Sequence, residues 1–505
     1  MNSSMQNSGL PSDFENHHSE IPEYWLPVRI CDICSINPKV KLDDELDVGF
    51  MPMSGVPTTF FGKIDFETRK WKSVKTGYTQ FANGDAIFAK ITPCFENSKA
   101  AVIDGLPNGW GAGSTEYFVL RSFGSLVDPR LLFALVKTRD FLAGGTMNMS
   151  GSVGHKRVPK EFVEQYTFPL PPLAEQIQIA NKLDELLAQV DTLKIRLDAI
   201  PHILKRFRQS VLAAAVSGRL TEDLRNGGLP NSSNDLLNEL EFNKDKNRKV
   251  DQTSSHELVT ENFPKHWGTS TFGEIYRLID YRGKTPRKAK HGKRLYSAKN
   301  IKMGFVSNEP VEYLSDNEYQ AWMTRGFSKI GDIFFVTEGH TMGCTAVNNI
   351  GTDIALAQRT LNLQPYGKVQ TKFHLYYMMS SSFQKLLQLN STGSAAKGIK
   401  AAKFRGLPIP FPSYFEQTEI VRRVEQLFAY ADQIEQRVKD TQSRVNKLTQ
   451  SILAKAFRGE LTAEWRAQNP DLITGENSAE ALLARIKAER AVAESGKKPK
   501  RARKG

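Results

Sequence analysis

The sequence has few cysteines and no long apolar run. Its 505 residues contain four scattered cysteines, Cys31, Cys34, Cys94 and Cys344. This excludes a disulfide framework and is typical of a protein in a reducing cytosol. Cys31 and Cys34 have half-zinc spacing, but no second pair completes a metal site, so we interpret all four as plain thiols. No apolar run approaches the roughly 20 residues that span a bilayer, which predicts a soluble, cytoplasmic protein.

The sequence also lacks complete catalytic motifs. Asn37-Pro38 and Asn469-Pro470 are followed by Lys39 and Asp471, whereas the base clamp of a methyltransferase needs a second proline and an aromatic residue. Gly283-Lys284-Thr285 resembles the end of a phosphate-binding loop, but Leu278 stands where that loop needs its first glycine. No compact His–carboxylate or Ser/His/Asp grouping stands out. The sequence therefore predicts a binding module with no catalytic residues.

The net charge is strongly positive. It is +13 at pH 7, and six of the positive charges lie in the C-terminal tail after residue 496. The remaining excess is moderate and favours a polyanionic partner, although a solvated basic tail explains part of it.

One stretch of the chain is written twice. Glu175-Gln176 recurs as Glu416-Gln417, and Gly218-Arg219-Leu220-Thr221 recurs as Gly459-Glu460-Leu461-Thr462, each 241 positions later. Such a repeat without gaps indicates that the two copies fold alike.

The apolar residues of each copy follow an alternating spacing of four and three. This pattern predicts the seam of a coiled coil, which needs a partner helix, and each copy is the obvious partner of the other. An ordinary amphipathic helix on a globular core remains an alternative. Pro201 is expected to kink or break the first copy near its middle. The predicted seam positions are Leu186, Val190, Leu193, Leu197, Ile200, Leu204, Phe207, Val211 and Ala214, with Leu427, Ala431, Ile434, Val438, Thr441, Val445, Leu448 and Ile452 in the second copy.

Two globules precede the repeated helices. Each opens on a proline followed by a tryptophan, at Pro22 and Trp25 and again at Pro264 and Trp267. Short apolar runs between turn residues, such as 85–90 and 331–337, predict strands, and 129–138 predicts a helix. We therefore expect an α+β protein, with mixed α/β globules joined by two long helices in an antiparallel coiled coil with a pseudo-two-fold repeat. The predicted segments are a disordered tail (1–20), the first globule (21–168), helix 1 (169–221), a short helix and linker (222–262), the second globule (263–409), helix 2 (410–462), and a C-terminal segment with a short helix and the basic tail (463–505).

These motifs together resemble a known family. The segments 169–176, 204–212 and 448–470, with the two-globule layout, are similar to the specificity subunit of Type I restriction-modification enzymes, especially the enteric IA class. The resemblance covers roughly the full chain, but the globules match only in outline.

The resemblance implies a DNA-recognition subunit without catalysis of its own. Each globule would be a target recognition domain that reads one half of an asymmetric bipartite site in double-stranded DNA, and the coiled coil would set the spacing. Two modification subunits and two restriction subunits would dock on it. The complex would use S-adenosylmethionine, ATP and Mg²⁺, none of them bound by this chain. A stand-alone bivalent DNA-binding regulator and a coiled-coil protein scaffold are the alternatives.

The chemistry of DNA contacts nominates residues in each globule. Bases are read by side chains with paired donors and acceptors, and phosphates are held by basic side chains, hydroxyls and Gly-Ser loops. The candidates in the first globule are Lys90, Thr92, Asn97, Ser98, Lys99, Ser150, Ser152, His155, Lys156 and Arg157. The candidates in the second are Tyr281, Arg282, Lys284, Arg287, Ser297, Lys299, Asn300, Thr337, His340, Gln358, Arg359, Ser394, Lys397 and Lys400. Glu175, Gln176, Glu416 and Gln417 are either first-turn helix caps or docking residues for the modification subunits.

Overall fold

The computed structural model describes residues 21–152, 154–225, 263–281, 285–393 and 397–495. The predicted tail at 1–20, the short helical pattern at 235–242 and the basic C-terminal tail lie outside these ranges.

The chain divides into two compact units. Unit 1 comprises Met1–Asp198 with Lys439–Gly505, and unit 2 comprises Ala199–Val438. Each long helix is therefore divided between the units. This differs from the linear order of segments read from the sequence, because a helix packs with residues distant along the chain.

The strands are short and follow one another closely. They are β1 (Leu26–Arg29), β2 (Cys34–Ile36), β3 (Asp47–Met51), β4 (Glu67–Lys70), β5 (Thr79–Ala82), β6 (Ala86–Ala89), β7 (Ala100–Val102), β8 (Trp110–Gly113), β9 (Tyr117–Ser122) and β10 (Thr167–Leu170) in unit 1. Unit 2 contains β11 (Gly268–Thr271), β12 (Tyr276–Asp280), β13 (Lys293–Tyr296), β14 (Glu312–Leu314), β15 (Ile333–Val336), β16 (Thr345–Val347), β17 (Ile354–Leu356), β18 (Thr360–Pro365) and β19 (Pro408–Phe411).

The helices range from single turns to two of 44 residues each. In the first half of the chain they are α1 (Ile30–Ile33), α2 (Trp71–Val74), α3 (Pro129–Val136), α4 (Arg139–Met147), α5 (Lys160–Gln165), α6 (Leu173–Val216) and α7 (Glu222–Arg225). In the second half they are α8 (Phe272–Ile275), α9 (Asp316–Trp322), α10 (Thr371–Met379), α11 (Ser381–Leu389), α12 (Ala401–Arg405), α13 (Tyr414–Phe457), α14 (Ala463–Gln468) and α15 (Ala479–Ser495).

The two globules share the strand order of one four-stranded sheet and part of a second sheet, despite their dissimilar sequences. The first has a sheet of order β2-β9-β6-β7 and the second a sheet of order β12-β18-β15-β16. A further sheet pairs β3 in parallel with β8 in the first globule, as β13 pairs with β17 in the second. The globule ends pair antiparallel, β1 with β10 and β11 with β19. The predicted α+β class is confirmed.

The central strands are apolar because both of their faces are covered. All four residues of β6 and all four of β15 are buried, as expected of a strand with no solvent-facing side. Phe88 on β6 packs against Phe118 and Phe141, and Phe335 on β15 packs against Phe383 and Phe404.

The long helices α6 and α13 end alike. Each is followed by a glycine in the left-handed region, Gly218 at φ +67° and Gly459 at φ +73°, a conformation that ends helices and that glycine adopts without strain. A side chain at residue 459 would also meet Pro22, since a Cβ there would lie 2.3 Å from its Cγ. The repeated Gly-x-Leu-Thr motif is thus a helix stop.

The helices pair antiparallel within each unit. In unit 1, Gln442 donates to Asp198 over 2.7 Å and Lys194 to Thr449 over 3.4 Å. In unit 2, Arg208 donates to Asp432 over 2.6 Å. Higher residue numbers on α6 therefore pair with lower residue numbers on α13. This is the pairing expected of two antiparallel helices related by a pseudo-two-fold repeat.

The predicted seam has two apolar positions in each heptad, and only one of them is consistently buried. Most residues seven apart on each helix are buried, namely Leu183, Val190, Leu204 and Val211 on α6 and Val424, Ala431, Val438, Val445 and Ile452 on α13. The other position is more open, and the prediction was wrong for Leu193, Thr441 and Leu448, which are exposed, Leu193 by 45% and Leu448 by 44%.

Pro201 lies inside α6 without ending it, so the expected break is absent. Proline removes one hydrogen bond, to the carbonyl of Leu197. The turns on either side are held by other contacts, Asp198 with Gln442 in unit 1 and the burial of Leu204 in unit 2.

Candidate nucleic-acid interface

The start of α6 carries a buried carboxylate that joins three distant segments of unit 1. Glu175 accepts hydrogen bonds from the indole of Trp25 over 2.8 Å, from the hydroxyl of Thr462 over 2.6 Å and from the guanidinium of Arg466 over 2.9 Å. Its side chain is 0% exposed and that of Arg466 is 14% exposed. The carboxylate thus fixes the start of the first globule, the start of α6 and the turn after α13 to one another.

Unit 2 repeats this arrangement with one change of partner. Glu416 accepts from the indole of Trp267 over 2.9 Å and from the hydroxyl of Thr221 over 2.8 Å. The third contact is His266, at 3.2 Å, where unit 1 has Arg466. The turn that reaches each glutamate follows the other long helix, which explains why Gly-x-Leu-Thr recurs with Glu-Gln.

The glutamines beside these glutamates are also buried within the chain. Gln176 donates to the carbonyl of Pro171 and accepts from the backbone of Asp128. Gln417 donates to Pro412 and accepts from the backbone of Gln370. Docking of another subunit by the Glu-Gln pairs stays a prediction. Because the pairs are buried, that subunit would contact the residues that cover them.

A hairpin in the first globule brings several predicted DNA contacts together. Ser150 and Arg157 face each other in two backbone hydrogen bonds of 3.1 and 2.8 Å. The strand that continues from β6 pairs with the end of this hairpin, since Thr92 donates to Lys156 and Val158 donates to Lys90. The exposed predicted residues here are Ser150, Ser152, His155, Lys156 and Arg157.

The second globule has the same hairpin at the same place. Thr392 and Gly398 exchange two backbone hydrogen bonds of 2.9 Å. Gly339 donates to Lys397, and Ile399 donates to Thr337. The predicted residues His340, Lys397 and Lys400 are exposed around it, whereas Thr337 is buried and donates to the carbonyl of Arg359.

Each hairpin region carries an arginine–glutamate pair, with the acid and the base exchanged. Glu116 precedes β9 and pairs with Arg157 over 2.8 Å, which holds the pKa of Glu116 below its ordinary value. Arg359 precedes β18 and pairs with Glu338 over 2.8 Å. Glu116 and Arg359 occupy equivalent positions, because the backbone N–H of Lys90 donates to one and that of Thr337 to the other. Both arginines are about half exposed, at 46% and 57%.

The two glutamates were not among the predicted contacts, although a carboxylate accepts from the amino group of cytosine. Glu338 directly follows the strand predicted at 331–337 and lies two residues before the predicted contact His340, which was the available signal. No sequence feature marked Glu116.

The remaining candidates in the first globule lie on the turn from Thr92 to Lys99. Asn97 is exposed, whereas Ser98 accepts from the ammonium of Lys137 and Lys99 donates to the carbonyl of Met53 over 2.8 Å. Asn97 is thus the member of this turn with a free path to a ligand.

Several candidates in the second globule have their polar groups engaged in the fold. Asn300 is fully buried and donates to the carbonyls of Ser307 and Pro310. It also accepts from Ser297, and the hydroxyl of Tyr281 donates to Gly326. These contacts give Asn300, Ser297 and Tyr281 a role in shaping their loops.

The other candidates there lie on the surface or outside the described residues. Arg287 and Lys299 are exposed, and Gln358 donates to Thr285 over 2.9 Å. Arg282, Lys284 and Ser394 are not among the described residues. No candidate DNA contact has been tested directly, and all stay predictions.

All four cysteines are free thiols in the structure. Cys31, Cys94 and Cys344 are partly buried, Cys34 is buried, and burial raises the pKa of the Cys31, Cys34 and Cys344 thiols. Among the described residues, no group of three histidines, cysteines or carboxylates is arranged to hold a metal ion. Within the same residues no helix is long and apolar enough to cross a membrane.

Comparisons with solved structures agree with this architecture. A chain from a study of assembly and conformational transition in a type I R-M system matches with a TM-score of 0.63 at 18% identity, over 87% of this chain and 99% of that one. The HsdS subunit from Thermoanaerobacter tengcongensis matches with a TM-score of 0.57 at 19% identity, over 87% and 98% of the two chains. At such identities the likeness establishes the fold.

Sequence comparisons establish the family. The family model described as the Type I restriction modification DNA specificity domain matches residues 22–202 and 264–441. The EcoBI specificity subunit of Escherichia coli is 41% identical over 357 residues, 70% of each chain, and the StySPI specificity subunit of Salmonella potsdam is 37% identical over 384 residues, 74% of each. With both globules and the first part of each long helix matched in this way, the chain belongs to the family of DNA specificity subunits of Type I restriction-modification enzymes.

Proposed function

We propose that each globule reads one half of an asymmetric, interrupted DNA target through its hairpin and the strand end beside it. The observation that carries this proposal is the pair of equivalent hairpins, which share backbone hydrogen bonds and differ in side chains. A shared backbone places each reading surface in the same way on its globule. The side chains differ between the globules: the first has the acidic Glu116 where the second has the basic Arg359. We infer that they therefore select different nucleotides.

The long helices set the distance between the two halves of the target. A helix spaces its ends by about 1.5 Å per residue, so the fixed length of α6 and α13 fixes a spacer in base pairs. In this proposal the partner subunits dock on the long helices, where Leu193 and Leu448 are 45% and 44% exposed.

The partners in this proposal are two modification subunits and two restriction subunits. The methyl donor S-adenosylmethionine belongs to the former, and ATP and Mg²⁺ to the latter. The chain itself recognises DNA and performs no chemistry, and we propose a cytoplasmic location for the complex.

The test is the methylation pattern of a host that lacks adenine methylation. The chain is expressed there with its modification subunit, and the methylated adenines are mapped across the genome. We expect one interrupted, asymmetric motif with a methylated adenine in each half. A palindromic motif, or no motif from a complex that copurifies intact, would contradict the proposal.

The two arginines of the arginine–glutamate pairs, Arg157 on the first hairpin and Arg359 before β18, are expected to carry separate halves of the specificity. Arg157→Ala should weaken discrimination in one half of the target and Arg359→Ala in the other, each by about 1–3 kcal/mol per base pair read. Binding of the complex to duplexes with single substitutions in each half measures both effects.

A matched control exists in the first globule. Arg69 on strand β4 pairs with Glu67 over 2.9 Å and lies over the ring of Phe50, so it is an arginine of similar exposure outside the hairpin. Arg69→Ala should leave discrimination unchanged. Loss of discrimination in the same half by Arg157→Ala and Arg359→Ala would refute the assignment of one hairpin to each half.

A further inference from the structure

Lys137 is a buried lysine whose ammonium group faces neutral acceptors. It follows α3 and is 4% exposed. Its Nζ donates to the carbonyl of Thr58 over 2.9 Å, to the carbonyl of Ser98 over 2.7 Å and to the hydroxyl of Ser98 over 3.1 Å. All three donors of the ammonium are thereby used, which makes burial of the charge tolerable.

Two of the acceptors belong to a residue with an unusual backbone. Ser98 adopts φ +58°, a region that costs free energy for a residue with a side chain and persists only where its surroundings hold it. Its neighbour Asn97 is exposed and is the predicted DNA contact on this turn that is open to a ligand. The bonds from Lys137 therefore fix the conformation of the turn that presents Asn97.

The backbone at Lys137 is in turn held by a long helix. Gln450 on α13 donates to the carbonyl of Lys137 over 3.1 Å and accepts from the backbone of Arg139 over 2.8 Å. The Gln450 side chain thus forms hydrogen bonds with the backbone on both sides of the α3–α4 junction. Gln450, Lys137 and Ser98 form an unbroken path of hydrogen bonds from helix to turn.

The charged groups near this path come from α6. Asp191 and Lys194 line a cavity of about 250 Å³ that Lys137 and Ser98 also line. Burial lowers the pKa of Lys137 to about 8. The ammonium therefore loses its proton within an accessible range of pH, and a neutral amine has two donors for three acceptors.

The second globule has a methionine at the corresponding place. Thr138 caps α4 by accepting from Phe141, and Ser380 caps α11 by accepting from Phe383. The residue before each cap is Lys137 in one globule and Met379 in the other. Met379 lies against Gly304, with its methyl carbon 3.0 Å from the position of a Cβ there.

We propose that Lys137 is a positioning residue for DNA reading by the first globule, holding the Thr92–Lys99 turn at a fixed place relative to the spacer helix. This inference rests on the proposed function and adds a specific residue to it. It predicts that one half of the target depends on Lys137 and that the other, read by a globule with Met379 there, does not.

The experiment uses the complex with its modification subunit and duplexes carrying single substitutions in either half. Lys137→Met imitates the second globule. We expect it to assemble and to lose about tenfold in discrimination in one half only, the size of a single good base contact. For the wild type, discrimination in that half should fall by a similar factor between pH 7 and pH 9, whereas Lys137→Met should show a low, flat profile.

A measurement of stability separates positioning from a general structural effect. The pKa of Lys137 is below that of an unfolded lysine, about 10.4. The unfolded chain therefore binds more protons between these values, and this group makes the folded state more stable as pH rises from about 8 to about 10. Discrimination between DNA sequences should therefore fall over a pH range in which deprotonation of Lys137 does not destabilise the folded state.

The outcomes that overturn the inference are distinct. A Lys137→Met complex with wild-type discrimination in both halves would do so, as would a wild-type complex whose discrimination is flat with pH. If Lys137→Met fails to assemble, the wild-type pH profile and Gln450→Ala, which should reduce discrimination in the same half, decide the question. A wild-type complex without sequence preference overturns the proposed function, whereas a selective one with a flat profile overturns this inference alone.

Discussion

Replacing Glu175 with alanine is expected to destabilise unit 1 by about 3–5 kcal/mol, the cost of removing one partner from a buried ion pair. The guanidinium of Arg466 would lose its carboxylate while 14% exposed, and the indole of Trp25 and the hydroxyl of Thr462 would lose their acceptor. Since Glu175 joins three segments of the chain, we expect β1, β10 and α14 to loosen together.

The equivalent change in unit 2 should cost less. Glu416→Ala leaves Trp267 and Thr221 without an acceptor, but the third partner, His266, is 39% exposed and can be solvated. Each variant leaves an indole N–H and a hydroxyl without an acceptor, but only Glu175→Ala also leaves a largely buried guanidinium without its carboxylate. The order Glu175→Ala worse than Glu416→Ala therefore follows from the exchange of arginine for histidine.

Hydrogen exchange read by mass spectrometry resolves the two units. Glu175→Ala should speed exchange in β1 and β10, and Glu416→Ala in β11 and β19. Glu185→Ala is the control, because Glu185 is an exposed glutamate on α6. Unchanged exchange in β1 and β10 after Glu175→Ala would show that the carboxylate does not hold unit 1 together.

The second large effect concerns one aspartate in each globule. Asp85→Asn should destabilise unit 1 by about 3 kcal/mol, whereas Asp332→Asn should change unit 2 by less than about 1 kcal/mol. Asp85 uses both carboxylate oxygens, with Oδ1 accepting from Arg121 Nε over 2.8 Å and Oδ2 from Arg121 Nη2 over 2.6 Å. An asparagine would turn an N–H towards a guanidinium N–H and leave Arg121 without a counter-charge.

Asp332 has a different set of partners. The backbone N–H of Lys329 and the side-chain amides of Asn362 and Gln364 donate to Oδ2, over 2.8, 2.8 and 2.7 Å. An asparagine keeps an acceptor oxygen at this position, and its neutral partners lose no counter-charge. Gln364 occupies the place on β18 that Arg121 has on β9. The buried aspartate of the second globule therefore lies beside side-chain amides instead of a guanidinium.

The pH dependence has a definite sign. Burial raises the pKa of Asp332 above its ordinary value, so the folded state binds the proton more tightly than the unfolded state. Its contribution to stability is present at low pH and is lost as pH rises through the folded pKa. Asp332→Asn should abolish this loss. Urea denaturation of the wild type and both variants between pH 4 and pH 7 measures it, and an Asp332→Asn variant that costs as much as Asp85→Asn would contradict the argument.

The long helices were predictable because their signal is local. The repeat and the heptad spacing predicted helices in 169–221 and 410–462, and the structure has them at Leu173–Val216 and Tyr414–Phe457. The glycine motifs mark their ends. Pro201 does not break α6, because its local cost is offset by packing that the sequence does not display.

The buried glutamates and the shared topology were not predictable in the same way. Glu175 and Thr462 are 287 residues apart, and nothing in the local pattern distinguishes a fully buried glutamate from a first-turn cap. The globules have the same strand order with few shared residues, because apolar runs such as β6 and β15 accept many sequences. The candidate interface was found through its Gly-Ser and basic loops, while its carboxylates went unrecognised.

The division of each helix between two units has a consequence for synthesis of the chain. Unit 2 is complete once Val438 has been made, whereas Glu175 waits for Arg466, 291 residues later. At about 5–20 residues per second the wait is about 15–60 s. The globule that is translated first is therefore the last to be completed. During that interval the Glu175 carboxylate and the part of α6 that belongs to unit 1 are available to chaperones or to a premature partner.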